Sequence, residues 1–221
     1  LAKFQLAAAG HGQHQPPDHM RARIADLFDP LPDWYEPFEG DALEEGAFPL
    51  HAITQRPAAM YHSWGSQNAW LRQIHTTNPL YVPGPVCDKA GLEDDDWAYL
   101  TSYHGEIKVQ VKRMEAVNSR TVWTWNAIGK RKGSWALSPN SPEAEKGFLL
   151  NHLINELLPG SGDGLRWSNS DPITGQAAWY DLKVSIRKAE EGASKSEPRL
   201  DAQKSTVASS DGQLRYGQEW S

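Results

Sequence analysis

Trp97–Met114 reads WAYLTSYHGEIKVQVKRM. Ile107, Val109 and Val111 alternate with Lys108, Gln110 and Lys112, the period-two pattern of a strand with one buried face. His104-Gly105 stands between two such runs, so the stretch predicts a β-hairpin with its turn there. Strands recur on both sides. Phe48–Ile53 is an apolar run broken only by Pro49 and His51 and predicts a buried strand. NPLYVPG (78–84) predicts a brief strand between turn signals. TVWTWNAIG (121–129) predicts a strand with Trp123 and Trp125 on one face, and in DLKVSIRKA (181–189) Leu182, Val184 and Ile186 alternate with charged and polar neighbours.

Helical signals are short. Met20, Ile24, Leu27 and Phe28 recur at helical spacing after Asp18, a capping residue type, and Asp29-Pro30 ends the run. Residues 66–75 predict a short helix. CDKAGLEDDD (87–96) predicts a helical turn that stops at Gly91 and enters an acidic turn. Pro142, Glu143 and Glu145 suit a first helical turn, with Leu150, Ile154 and Leu157 on one face beyond it. The expected organisation is an N-terminal helix and Pro-rich connecting arm (1–47), a strand-rich barrel with short helices (48–188), and a tail (189–221). The tail is too poor in aliphatic residues to offset its ordering entropy, so it is expected to be disordered.

The chain has 221 residues, a net charge of −6, one cysteine and ten tryptophans. The negative balance argues against nucleic-acid binding through phosphates. No apolar run reaches the roughly 20 residues of a membrane-spanning helix, so direct insertion is not expected. A single cysteine excludes an internal disulfide framework and a cysteine-only metal site, and favours a cytoplasmic setting. The first residues, LAKFQLAAAGHGQHQPPDHM, have neither an initiator Met nor a signal-peptide pattern and read like the middle of a longer polypeptide.

The densest polar chemistry follows the first barrel strand. Between Thr54 and Asn68 come Arg56, His62, Ser63, Trp64, Ser66 and Gln67, before apolar residues return at Trp70, Leu71 and Ile74. A helix beginning near Gly65-Ser66 would present free N–H groups to an anion. Arg56 offers a forked donor pair for phosphate. Thr54 and Ser63 offer hydroxyls, Gln67 and Asn68 can read both donors and acceptors, and Trp64 offers a stacking face. The stretch suits a large, polar, phosphate-bearing ligand. The alternative is a solvated turn with ordinary cap residues, since the glycine spacing of a P-loop or dinucleotide fingerprint is absent.

Other polar clusters read as structural. His51, His62, His75, His104 and His152 lack the spacing of a metal-binding helix and suit hydrogen-bonding roles. Asp94, Asp95 and Asp96 read as a solvated turn. Lys130–Trp135 reads as a basic surface loop.

Taken together, FPLHAITQRP, YHSWGSQN, CDKAGLEDDDWAYLTSYHGEIKVQV, NHLI and DPITGQAAWYDLKVSI resemble the C-terminal cofactor-binding domain of the dimethyl-sulfoxide-reductase superfamily of molybdenum/tungsten bis-pterin oxidoreductases. The resemblance covers nearly all of 48–188. It implies a mainly β fold with short helices, a six-stranded double-psi β-barrel. It also implies that the loop after the first strand binds one of two molybdopterin guanine dinucleotides of a molybdenum bis(molybdopterin guanine dinucleotide) cofactor. Thr54, Arg56, His62 and Ser63 fall on the family's T-x-R…H-S positions, with Trp64, Gln67 and Asn68 in the same loop. Asn151, with His152 after it, falls where the family places a pterin-side asparagine. Asp171 and Gly175 match a closing Asp-Pro-x-Ser/Thr-Gly turn, and Trp179-Tyr180 replaces a Phe-Lys pair of many members.

The resemblance implies an oxidoreductase whose chemistry belongs to the metal, with no catalytic residue or metal ligand in this segment. It further implies a 4Fe-4S cluster in an upstream part. The expected partners are the remainder of the catalytic subunit, an iron–sulfur electron-transfer subunit and a membrane-anchor subunit. DPLPDWYEPFEGD and KRKGSWALSPNSPEAEKGFLLNHLINELLP are similar to catalytic subunits of cytoplasmic sulfite dehydrogenases. This points to a small sulfur oxyanion as substrate, with thiosulfate, polysulfide or formate enzymes as alternatives. From the residues alone, a non-enzymatic nucleotide- or carbohydrate-binding barrel is the competing class.

Overall fold

The computed structural model describes residues 1–31, 39, 43, 46–62, 64–75, 77–126, 128, 147–154, 157–159, 165–167, 176, 182–190 and 198–200. Nine strands are found among these residues: β1 (Leu50–Gln55), β2 (Leu80–Pro83), β3 (Trp97–Ser102), β4 (Gly105–Met114), β5 (Thr121–Trp125), β6 (Leu157–Pro159), β7 (Leu165–Trp167), β8 (Lys183–Lys188) and β9 (Pro198–Leu200). The helices are α1 (Ala2–Ala8), α2 (Asp18–Leu27), α3 (Ala69–Ile74) and α4 (Gly84–Ala90). Two 3-10 turns, Trp64–Gln67 and Leu150–Leu153, also lie among the described residues.

Hydrogen bonding runs β2-β5-β1-β8-β3-β4, and β4 pairs back onto β2, which closes a six-stranded barrel. β1–β5 and β2–β4 are parallel, while β2–β5, β1–β8, β3–β8 and β3–β4 are antiparallel. Parallel neighbours cannot be joined by tight turns, so the connections must cross the barrel. The expected mainly β, double-psi architecture is borne out in this closed barrel. β6 and β7 form a separate two-stranded antiparallel ribbon.

The hairpin at 97–114 shows how pattern becomes core. Ser102 pairs with Gly105 across a turn at Tyr103-His104. In β4, Ile107, Val109 and Val111 are buried while Glu106, Lys108 and Gln110 are half-buried. The inward residues meet Ala98 and Leu100 of β3, Leu80 and Val82 of β2, Leu50 and Ala52 of β1, Val122 of β5 and Val184 of β8 in one cluster. Each of the valines, leucines and the isoleucine contributes about 1.5–3 kcal/mol by leaving water. Cys87 of α4 lies in the same cluster, consistent with a packing role.

α4 ends as read, at Gly91 in the left-handed region (φ 63°), a conformation that glycine adopts without strain. The acidic turn after it is held by cations. Asp94 pairs with Lys112 and accepts the Arg113 N–H, and Asp96 pairs with Lys188 at 2.7 Å. Among the described residues no group of His, Cys, Asp or Glu could hold a metal ion.

Four expectations are corrected. The helix expected over 66–75 starts only at Ala69, because Asn68 caps it: its Oδ1 accepts the Trp70 N–H at 2.9 Å. The helix expected to carry Leu150, Ile154 and Leu157 on one face is, where described, a 3-10 turn ending at Leu153, with Leu157 in β6. Three residues of the expected tail form β9, paired with Gly105–Ile107 of β4. That pairing uses backbone groups and needs no apolar side chains. Ala2–Ala8 is a helix although no helix was read there, and its alanines have the highest helix propensity. One boundary also moves by a residue: Pro17 is the cap of α2, and Asp18 lies inside the first turn, 3.0 Å from Arg21.

Candidate cofactor-binding site

β1 and β5 run in parallel and in register, so Thr54 lies beside Thr124 and Gln55 beside Trp125. The backbone pairing continues one step further, with the Asn126 N–H donating to the Gln55 carbonyl at 2.7 Å. The chain then leaves the barrel at Arg56. A succession of turns follows, through Met60 N–H to Pro57 O, Trp64 N–H to Tyr61 O and Asn68 N–H to Gly65 O. Buried Pro57 and Met60 pin this path to the body of the protein. Leu71 packs back onto it, lying 3.0 Å from where a Cβ on Gly65 would be.

Arg56, Tyr61 and His62 converge at the head of this path. Arg56 Nη2 donates to His62 Nε2 at 3.1 Å, which requires the imidazole to present Nε2 as an acceptor. The guanidinium lies 5.1 Å from the centre of the Tyr61 ring, a cation–π approach. The Tyr61 and His62 rings meet edge to face at 4.9 Å. His62 takes φ 49°, a left-handed conformation uncommon for non-glycine residues, which turns its ring toward Arg56. The arginine is exposed and therefore open to a further anionic partner.

A second element approaches the same end of the barrel. β3, like β1 and β5, points toward that end, as the antiparallel pairings of β8 with both β1 and β3 require. The 3-10 turn Leu150–Leu153 spans from β5 to β3. Asn78 Nδ2 donates to the carbonyls of Trp125 and Phe148, and Ser102 Oγ donates to the Leu153 carbonyl at 2.7 Å. Leu150 and Leu153 are buried beneath the turn, while Asn151 is exposed and His152 half-buried.

The structure thus brings Arg56 and His62 together, and sets Asn151 and His152 side by side on one turn. Thr54 is half-buried near the end of β1. Trp64 is 78% exposed, which leaves its ring face open for stacking. Asn68 holds the helix cap, so its Oδ1 already has a backbone donor. The Trp70 N–H at the start of α3 is thereby taken by the chain itself, and α3 starts at Ala69 rather than at Gly65-Ser66. Ser63 and Asp171 lie outside the described residues, as do Gly175, Trp179-Tyr180 and the Lys130–Trp135 loop; of Gln67 only the backbone is described. Tyr61 and Asn78 were missed. Tyr61 carried a signal, an aromatic five residues after an arginine. Asn78 read only as a turn residue.

The remaining histidines serve packing and hydrogen bonding. His51 lies 3.3 Å from Lys183 Nζ, and burial, then the charges of Lys183 and Arg120, holds its imidazole below the ordinary value. His75 meets Trp125 edge to face.

A relative, a sulfite dehydrogenase subunit of Allochromatium vinosum, is 53% identical to this chain over 193 residues. The chain is a homologue of that protein. The match takes in 87% of the chain and 20% of the relative, so the chain spans about a fifth of the relative's length. Among solved structures, acetylene hydratase from Pelobacter acetylenicus aligns with a TM-score of 0.50 at 22% identity, covering 73% of this chain and 22% of that one. That likeness is one of fold. No family model matches the chain. The likeness to sulfite dehydrogenases read from the sequence is borne out as homology to part of that subunit.

Proposed function

We propose that this chain is the cofactor-binding part of the catalytic subunit of a molybdenum oxidoreductase acting on a small sulfur oxyanion such as sulfite. The observation that carries the reading is the Arg56–His62 pair, presented beyond the carboxyl end of β1 by a loop rich in hydrogen-bonding side chains. The donor set fits the cofactor. An exposed guanidinium oriented by an imidazole suits a pyrophosphate, the open face of Trp64 suits a planar ring, and Asn151 and His152 offer donors and acceptors for a pterin. Thr54, Ser63, Gln67, Asn68 and Asp171 belong to the same proposed site on their motif positions, with the Asn68 amide Nδ2 rather than its capping oxygen facing the ligand.

When bound, the molybdenum bis(molybdopterin guanine dinucleotide) supplies two-electron chemistry on the substrate. This chain's own residues bind and orient the dinucleotide. The 53% identity to part of a sulfite dehydrogenase supports the substrate class, and that relative's being one of the enzyme's subunits supports an assembly of several chains. The proposed assembly comprises the rest of the catalytic subunit with a 4Fe-4S cluster, a membrane anchor and an iron–sulfur electron-transfer subunit, on the cytoplasmic side. Among the described residues no helix is long and apolar enough to cross a membrane.

The test is Arg56→Ala in the full-length polypeptide, read as molybdenum per mole of purified protein. A charge-assisted bond of about 1.5 kcal/mol corresponds to roughly tenfold weaker cofactor retention. Full molybdenum and pterin content in the variant would refute the assignment of Arg56 and, with it, the site.

A further inference from the structure

Glu39 has no accessible surface, yet it belongs to a proline-rich, acidic stretch of sequence. A buried carboxylate is costly without partners. Its Oε2 accepts the backbone N–H of Lys183 at 2.6 Å. Its Oε1 faces His104 Nε2 at 3.7 Å, about 0.5 Å beyond the hydrogen-bond range. Oε1 and both imidazole nitrogens of His104 are enclosed without a hydrogen bond. An apolar side chain of similar size would fill this space without the desolvation cost, so what the carboxylate adds is direction.

That direction leads to the proposed site by two routes. Lys183 is the first residue of β8 and lies opposite His51 in β1, the strand that delivers Arg56. His104 donates its backbone N–H to Ser102 Oγ at 3.1 Å, and Ser102 Oγ in turn donates to the Leu153 carbonyl. Leu153 closes the turn that presents Asn151 and His152. A single buried carboxylate therefore bonds the first residue of β8, opposite β1, and faces the His104 ring, whose backbone N–H leads through Ser102 to the 150–153 turn.

We infer that Glu39 is a positioning residue, coupling its own buried placement beside β8 to the geometry of the cofactor-facing turn through His104 and Ser102. This deepens the proposed function and rests on it. With Glu39 in place, its carboxylate packs beside the His104 ring and limits that ring's movement, Ser102 keeps its hydroxyl on Leu153, and the 150–153 turn stays in register.

The test compares Glu39→Leu, Glu39→Gln, Ser102→Ala and Arg56→Ala in the full-length polypeptide, by amide hydrogen exchange and molybdenum content. In Glu39→Leu and Ser102→Ala the His152 and Ile154 amides, which donate within the turn to Leu149 and Asn151, should exchange at least about tenfold faster, by a factor equivalent to about 1.4 kcal/mol. Amides of β3 and β4 should stay protected, and molybdenum content should fall. Glu39→Gln should restore both, since its amide oxygen still accepts from Lys183 and its NH₂ can donate to the imidazole. Unchanged exchange in the turn, or acceleration spread evenly over the sheet, overturns the inference. So does a loosened turn with full molybdenum in Glu39→Leu, provided that Arg56→Ala has lost it. Full molybdenum in Arg56→Ala together with a loosened turn in Glu39→Leu supports the mechanical link and refutes the cofactor reading instead.

Discussion

Replacing Asn78 with alanine should cost more stability than any surface change in the barrel. The side chain is 2% exposed and makes four hydrogen bonds at one junction. Its Nδ2 donates to the carbonyls of Trp125 and Phe148, each at 3.3 Å, and its Oδ1 accepts from Thr124 Oγ1 at 2.8 Å and from the Trp125 N–H at 3.3 Å. In the alanine variant the Thr124 hydroxyl can turn to the Pro79 carbonyl, 3.1 Å away. The Trp125 N–H and the carbonyls of Trp125 and Phe148 lose this partner in a buried junction. At about 1 kcal/mol each, the loss is about 3 kcal/mol. With a urea m-value of about 2 kcal/mol/M, the midpoint should fall by about 1.5 M. Equilibrium urea denaturation followed by tryptophan fluorescence reads this directly. Thr124→Val should cost about 1 kcal/mol, and the double variant less than the sum, because the two side chains share a bond. A loss below about 1 kcal/mol for Asn78→Ala would refute the reasoning, since it would mean that the junction is hydrated or rearranges freely.

Two further outcomes follow from the acidic turn and the core. The Lys188 ammonium, then the Glu93 N–H, holds the Asp96 carboxyl below its ordinary value. A depressed folded-state value stabilises above the unfolded one and is lost as pH falls through the folded one. The urea midpoint of Asp96→Asn should thus lie slightly below that of the parent at pH 6, and the difference should vanish near pH 3 or below; a difference that persists there would contradict the ion-pair account. Cys87 is fully enclosed, and burial pushes its thiol up. It should resist a thiol-disulfide reagent at pH 8 in the folded protein and react fully in urea, while rapid labelling of the folded protein would show that α4 opens readily.

The alternation of Ile107, Val109 and Val111 determined by itself that β4 is a strand, which face it buries, and where the hairpin turns, because a side-chain period of two is a local property of extended backbone. Gly91 likewise announced the end of α4, since few other residues adopt its conformation cheaply. The order of motifs from Phe48 to Ile186 was enough to point to the sulfite dehydrogenase homology, and the Arg56–His62 pair lay on positions already singled out. Other features needed the fold. Asn68 could be a ligand-reading amide or a helix cap on composition alone, and only the placement of Trp70 above it decided for the cap. β9 carries no periodic signal, because its pairing draws on backbone groups that β4 leaves open at Gly105–Ile107. Glu39 reads as one more acidic residue of the Pro-rich connecting arm. Its burial between Lys183 and His104, 144 and 65 positions away, follows from contacts that bring distant chain segments together, which no local pattern encodes.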